Sequence, residues 1–224
     1  MDFRQTYCFD DVLLTPKYSD IKSRSEVNLR SKLSSTISLD LPVVSSPMDT
    51  VTESRMAIAM QRAGGLGVIH RYNTIEQQAE LVKLAASGID TVAAAIGVTG
   101  DFLERAQETV AAGADVVCVD IAHGHHVMMR DALKKLRSCF PDELHIMAGN
   151  VATLQAFDDL ADWGANSIRV GIGGGSICST RIVTGHGVPT LQSVLDCSLS
   201  RHDVRIIADG GIKTTGDIVK SIAS

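Results

Sequence analysis

Short, uniformly apolar runs alternate with segments of helical spacing along most of this chain. The apolar runs are Leu41–Val44, Leu66–Ile69, Thr91–Ile96, Val116–Val119, Leu144–Ala148, Ser167–Val170 and Val204–Ala208. Between them, Glu53–Arg62, Thr74–Ser87, Asp101–Ala112, Val127–Cys139 and Leu154–Trp163 carry apolar residues three and four apart, and Thr215–Ala223 opens a further helix. That spacing predicts helices packed by one face. Thr74 with Gln77 three residues on predicts a capping box.

Strands that are apolar throughout are buried on both faces, as in a parallel sheet covered by helices. Strand–helix repetition has two main solutions, a closed barrel or an open doubly wound sheet. The open dinucleotide-binding sheet usually carries G-x-G-x-x-G after its first strand. Here that strand runs into Ser45-Ser46-Pro47-Met48-Asp49, which favours a (β/α)8 TIM barrel in one domain, 1–224. Only seven strands are read and the chain stops inside the helix behind the seventh, so the barrel is expected to be truncated before its eighth strand. A gap is expected between the first strand and the seventh.

Composition narrows the class. The chain is 45% hydrophobic and 21% charged, as in a soluble globular protein. A formal charge of -5, with no run of Lys and Arg, argues against a nucleic-acid surface. No apolar stretch approaches the length of a membrane span, and Met1-Asp2-Phe3-Arg4 leads into no signal segment. Five cysteines, Cys8, Cys118, Cys139, Cys178 and Cys197, show no metal-ligand spacing. A cytoplasmic protein with free thiols follows.

In a barrel the chemistry lies at the C-terminal ends of the strands. The polar and glycine-rich residues fall there: Ser45 to Asp49, His70-Arg71, Gly97, Asp120 to His126, Gly149-Asn150, Gly171 to Cys178, and Asp209-Gly210-Gly211. Small residues in Gly171–Arg181 let backbone amides approach an anion. Ser176 adds a hydroxyl, and Cys178 sits with Thr180 and Arg181 beside it, where a nearby Arg favours thiolate. A buried structural thiol is the rival reading, and it is accepted for the other four cysteines. Asp209 offers a carboxylate for ribose hydroxyls and Gly210-Gly211 amides for a phosphate. His123, His125 and His126 lack the further ligands of a zinc site.

Phe9-Asp10-Asp11-Val12-Leu13-Leu14-Thr15-Pro16, Ser45 to Glu53, Gly64 to His70, Asp120 to His125, Ala148 to Thr153, the Cys178 loop and Ala208-Asp209-Gly210-Gly211-Ile212 together resemble the IMP dehydrogenase/GMP reductase family, in order over nearly the whole chain. The resemblance implies that Cys178 attacks C2 of a purine nucleotide monophosphate and that Thr180 assists resolution of the adduct. It implies that Ser176 and Gly211 hold the 5′-phosphate, that Asp209 holds the ribose, and that Ser46, Met48 and Asn150 line the nucleotide pocket. Asp120 would face the ribose of NAD, or of NADP in a reductase. Backbone carbonyls of Gly173, Gly175 and Cys178 would hold a monovalent cation, K+, and the assembly would be a homotetramer.

Three departures stand out. The family usually has Pro where Gly174 stands, which leads one to expect a more flexible loop. The regulatory insert that many dehydrogenases carry after the second barrel helix is missing, since Ser87 runs through Gly88 to Thr91. The eighth strand, the mobile flap and the C-terminal cation ligands would lie beyond Ser224. The missing insert leans toward a GMP reductase, whereas Ser45 to Glu53 and Ala122 to His125 resemble the dehydrogenases and are given more weight. A non-catalytic nucleotide-binding paralogue and another phosphate-binding barrel are the rival classes; an aldolase would need a Schiff-base lysine at a strand end, and Lys213 only comes near one.

Overall fold

The computed structural model describes residues 4–140 and 144–224, so the first three residues read above for a signal lie outside it. A two-residue hairpin, β1 (Ser31–Lys32) and β2 (Ser38–Leu39), precedes the main sheet. Then follow β3 (Val44–Ser45), α1 (Ser54–Arg62), β4 (Leu66–Ile69), α2 (Ile75–Ala86), β5 (Ala93–Ile96), α3 (Phe102–Ala111) and β6 (Val116–Asp120). The rest is α4 (Val127–Cys139), β7 (His145–Val151), α5 (Leu154–Asp162), β8 (Ser167–Val170), α6 (Thr180–Thr184), α7 (Thr190–Cys197), β9 (Arg205–Ala208) and α8 (Thr215–Ala223).

Strands β3 to β9 form one parallel sheet in chain order, curled as an incomplete TIM barrel. Strands β3 and β9 are its two ends, and no ladder among the described residues joins them. The expected gap is therefore where the strand count puts it. The inner face is small and apolar: Leu66, Val68, Ala93, Ala95, Val116, Cys118 and Met147 meet Leu33 and Leu39 of the hairpin. The outer face carries the larger core, in which Val117, Val119, Ile146, Ala148, Ile168 and Val170 pack on Met129, Leu133, Leu136, Phe157 and Leu160. Strand residues alternate between these two layers, which is why the runs look apolar throughout.

The predicted helices are present, and Thr74 accepts from Gln77 N in the expected capping box. The first strand is shorter than predicted and shifted to Val44–Ser45. Pro42 has no N–H to give a ladder, and Leu41 N and Val43 N bond to Gly64 O and Leu41 O instead. Helix α7 was not anticipated, because Gly185 to Pro189 reads as loop. Its Leu191, Val194 and Cys197 are buried at helical spacing.

Candidate active site

The mouth of the barrel is organised by Arg169, which the sequence reading passed over as part of an apolar strand. Its neighbours Ile168 and Val170 face the helices, so alternation turns Arg169 inward. Its Nη1 bonds to Asp120 Oδ1 at the end of β6, and its Nη2 lies 3.0 Å from Asp209 Oδ2 after β9. Asn150 sits where the β7–β8 register shifts between Gly149 and Val151, an irregularity that re-aims a side chain. Its Nδ2 donates to Gly171 O at 2.8 Å and to Asp209 Oδ2 at 2.5 Å. Three predicted residues thus come together: Asn150 bonds Asp209 directly, and Asp209 is joined to Asp120 through Arg169, which was missed. The signal was available: a charged residue at an inward position of a barrel strand.

Burial works against the charge of Arg169, yet its pKa is raised, because Asp209 and Asp120 press on it from both sides. The nearby Cys118 thiol is pushed up to about 12 by burial, so it is neutral at ordinary pH and the two carboxylates carry the pairing. With one guanidinium between two carboxylates the cluster keeps a net negative charge, suited to accepting hydrogen bonds from sugar hydroxyls.

Cys178 lies in the loop after β8, half-buried. The residue ends a turn in which its N–H donates to Gly175 O at 3.1 Å. Its Sγ is 3.2 Å from Thr180 Oγ1. The thiol is held below its ordinary pKa, chiefly by the hydroxyl of Thr180 and then by the Thr180 backbone, with Arg181 the smallest contributor. The sequence reading named Arg181 as the activating neighbour, but Thr180 contributes more. Arg181 instead folds over Gly173, where a Cβ would come within 2.7 Å of its Cγ, and reaches toward Val188 O. Cys118 and Cys197 are buried, and burial pushes both to about 12. Cys8 and Cys139 are exposed, so the expectation of a buried structural thiol holds for Cys118 and Cys197 and not for those two.

Two glycine turns lie in contact at the mouth and form a small cradle. Gly210 and Gly211 have φ of 80° and 79°, a conformation that favours glycine. A Cβ on Gly210 would fall 2.8 Å from Gly175 N. Ser176 is exposed at the rim of this cradle. Phe9 closes it from below, with its ring 3.8 Å from the Cβ position of Gly211 and its carbonyl accepting from Lys220 Nζ at 2.7 Å. Ser46 and Met48 lie at the same end of the barrel in a tight turn. Thr52 Oγ1 donates to Ser46 O at 2.7 Å, and Thr52 N to Met48 O at 3.0 Å. No hydrogen bond among the described residues ties that turn to the Arg169 cluster. The three histidines take different partners: His125 Nε2 lies 2.7 Å from Asp159 Oδ2, His126 Nδ1 accepts from Met128 N, and the His123 ring sits edge-on to His125 at 6.4 Å.

The model of the IMP dehydrogenase / GMP reductase domain matches residues 6–224. The chain belongs to this family. The inosine-5′-monophosphate dehydrogenase of Nitrosopumilus maritimus is 33% identical, with 100% of this chain and 73% of the relative covered. That of Cryptosporidium parvum is 39% identical, over 96% of this chain and 64% of the relative. That of Borreliella burgdorferi is 36% identical, over 99% and 67%. The chain therefore spans about two thirds of the length of these relatives. No helix among the described residues is long and apolar enough to cross a membrane.

Proposed function

We propose that this chain is the catalytic barrel of an IMP dehydrogenase, converting IMP and NAD with water to XMP and NADH in guanine nucleotide synthesis. The observation that carries the reading is Cys178: a half-exposed thiol with a lowered pKa beside a glycine cradle, in a family whose matched relatives carry the dehydrogenase name.

The Cys178 thiolate attacks C2 of the hypoxanthine ring and a tetrahedral adduct forms. C2 then gives up its hydride, for which a bound dinucleotide would supply the acceptor. Water adds to C2 of the remaining thioimidate, the C2–S bond breaks as the thiolate leaves, and one net proton passes to solvent, restoring Cys178. Ser176, Gly211 and the amides around them hold the phosphate. Asp209 accepts from the ribose hydroxyls. Ser46, Met48 and Asn150 shape the base pocket. Thr180, already against Sγ, steadies the sulfur as it takes and loses charge.

Asp120 suits the dinucleotide's ribose: one carboxylate oxygen is taken by Arg169, and no hydrogen bond among the described residues takes the other. Carbonyls of Gly173, Gly175 and Cys178 offer the hard oxygens a K+ ion takes; Gly175 O also accepts from Cys178 N, and its second lone pair is spare. The domain is read as a single barrel with no regulatory insert, since six residues, 87–92, join α2 to β5. The protein is read as cytoplasmic, and a homotetramer fits an N-terminal arm that leaves Leu13 89% and Tyr18 95% exposed.

The test is intact-mass analysis and peptide mapping after incubation with IMP and NAD, alongside turnover assays on IMP plus NAD and on GMP plus NADPH. A purine adduct on Cys178 is expected. Cys178→Ser should lower turnover on the order of 10⁴-fold or more and leave IMP binding intact. An adduct on another cysteine, or turnover of GMP alone, overturns the reading.

A further inference from the structure

We propose that Arg71 takes the diphosphate of the dinucleotide. This rests on the dehydrogenase reading and extends it to a residue that neither the nucleophile loop nor the Arg169 cluster includes.

The loop after β4 that carries Arg71 is clamped from beneath. Gln78 Nε2 donates to His70 O at 3.0 Å and to Ala95 O at 2.8 Å. Arg105 Nη1 holds Gln78 Oε1 at 2.9 Å, and its Nη2 bonds Asn73 O at 3.1 Å and Asp101 Oδ2 at 2.8 Å. With both ends of the loop fixed, the direction of Arg71 is set by the fold. Its side chain crosses the end of β5 over Gly97, where a Cβ would lie 3.4 Å from Nη1. The guanidinium carbon is 5.3 Å from the centre of the Tyr72 ring. The far end reaches β6, where Nη2 makes one long bond, 3.4 Å, to the backbone oxygen of Asp120.

That bond leaves most of the donor capacity of Arg71 unused. No ion pair among the described residues includes it, and its Nε is buried without a hydrogen-bond partner. Arg105 and Arg169, by contrast, each hold at least one carboxylate. A guanidinium in a fixed fork with free N–H groups is matched to a phosphate pair. In a dinucleotide the diphosphate is one carbon removed from the ribose, so an anion bound beside Asp120 falls within reach of the Arg71 fork. The phosphate of the mononucleotide is not a competitor, because its cradle lies on the turns after β8 and β9, across the mouth from β4.

The probe is ADP-ribose, which carries the diphosphate and its riboses but no nicotinamide, so nothing turns over. Its dissociation constant is measured by titration calorimetry with IMP saturating, and that of IMP is measured alone. Arg71→Met should raise the ADP-ribose constant at least tenfold and leave the IMP constant within twofold. Arg71→Gln, which keeps a donor for the Asp120 carbonyl, should weaken ADP-ribose by a similar factor, and Arg71→Lys should recover most of the loss. Adenosine, with no diphosphate, should bind all four proteins alike. An unchanged ADP-ribose constant in Arg71→Met or Arg71→Gln overturns the assignment while IMP binding upholds the function. Equal losses for ADP-ribose and IMP make Arg71 a structural clamp and also overturn it. A native chain that binds neither ligand brings down the dehydrogenase reading, and this assignment with it.

Discussion

The mouth and the floor of this barrel are built on the same strands and treat polar groups in opposite ways. At the floor, His145 opens β7 and shares a 2.8 Å bond with Ser167 at the start of β8. Burial, and then the charge of Arg137, push its pKa down to about 4, so it is held neutral. Two residues further along β8, Arg169 is held charged between two carboxylates. The thiols follow the same division. Cys118, inside the barrel, is pushed up to about 12, whereas Cys178 above the mouth is lowered. The floor resembles a hydrophobic core that tolerates a neutral polar pair, with Nδ1 of His145 left without a hydrogen-bond partner. The mouth keeps charge out of bulk water and therefore must balance it residue by residue.

The sharpest way to break the contrast is to remove its pivot. Arg169→Met leaves Asp120 and Asp209 facing each other in a largely buried site, and stripping one partner from a buried ion pair costs about 3–5 kcal/mol. Urea unfolding should show a loss of that size. Adding Asp120→Asn and Asp209→Asn to the same chain should return a large part of it, since the uncompensated charges are then gone. A single variant as stable as the parent would mean that the cluster is solvated and the mouth no different from the surface.

At the floor the effect depends on pH. The unfolded chain protonates His145 near 6.5, and the folded chain resists until about 4. Between those values the unfolded state binds more protons, so stability falls as pH falls. The contribution is present in full above pH 6.5 and is lost progressively down to about 4, a swing on the order of 3 kcal/mol. Urea midpoints at pH 7 and pH 4.5 should differ less for His145→Gln than for the parent. Equal differences would place the pH dependence elsewhere.

The contrast also explains what could be read from sequence. Apolar runs such as Val116–Val119 and Ser167–Val170 announce strands because both faces are buried, and glycine turns announce the mouth because only glycine fits Gly210 and Gly211. Cys178 was visible for the same reason: a thiol in a small-residue loop has few structural uses. Arg169 was hidden inside a run that reads as core, and only a count of inward positions separates it from its neighbours. The hairpin at Ser31–Lys32 and Ser38–Leu39 was hidden because two-residue strands have no period to detect. Arg71 appeared as one more polar residue at a strand end; its significance lies in contacts across β5 and β6, which no local pattern carries.

The smallest expected effect tests the seam between the mouth and the helices behind it. The family's usual proline at position 174 led to the expectation that Gly174 loosens the Cys178 loop. The space a side chain would use there is already filled: a Cβ at Gly174 would lie 2.2 Å from Thr190 Oγ1. Its other near neighbours, Gly210 C and O, are at ordinary contact distances of 3.4 and 3.5 Å. Thr190 is the first residue of α7, 4% exposed, and its hydroxyl has no hydrogen-bond partner. Gly174→Ala therefore forces the loop or the helix to shift, an overpacking penalty of about 1–3 kcal/mol. Thr190→Ala alone should change stability little, because the hydroxyl it removes makes no bond in the fold. The double variant should be close to the parent, so the coupling between the two positions should account for nearly the whole penalty. If Gly174→Ala stays destabilised when Thr190 is shortened, the strain lies in the loop backbone itself, and the hydroxyl is not what the glycine accommodates.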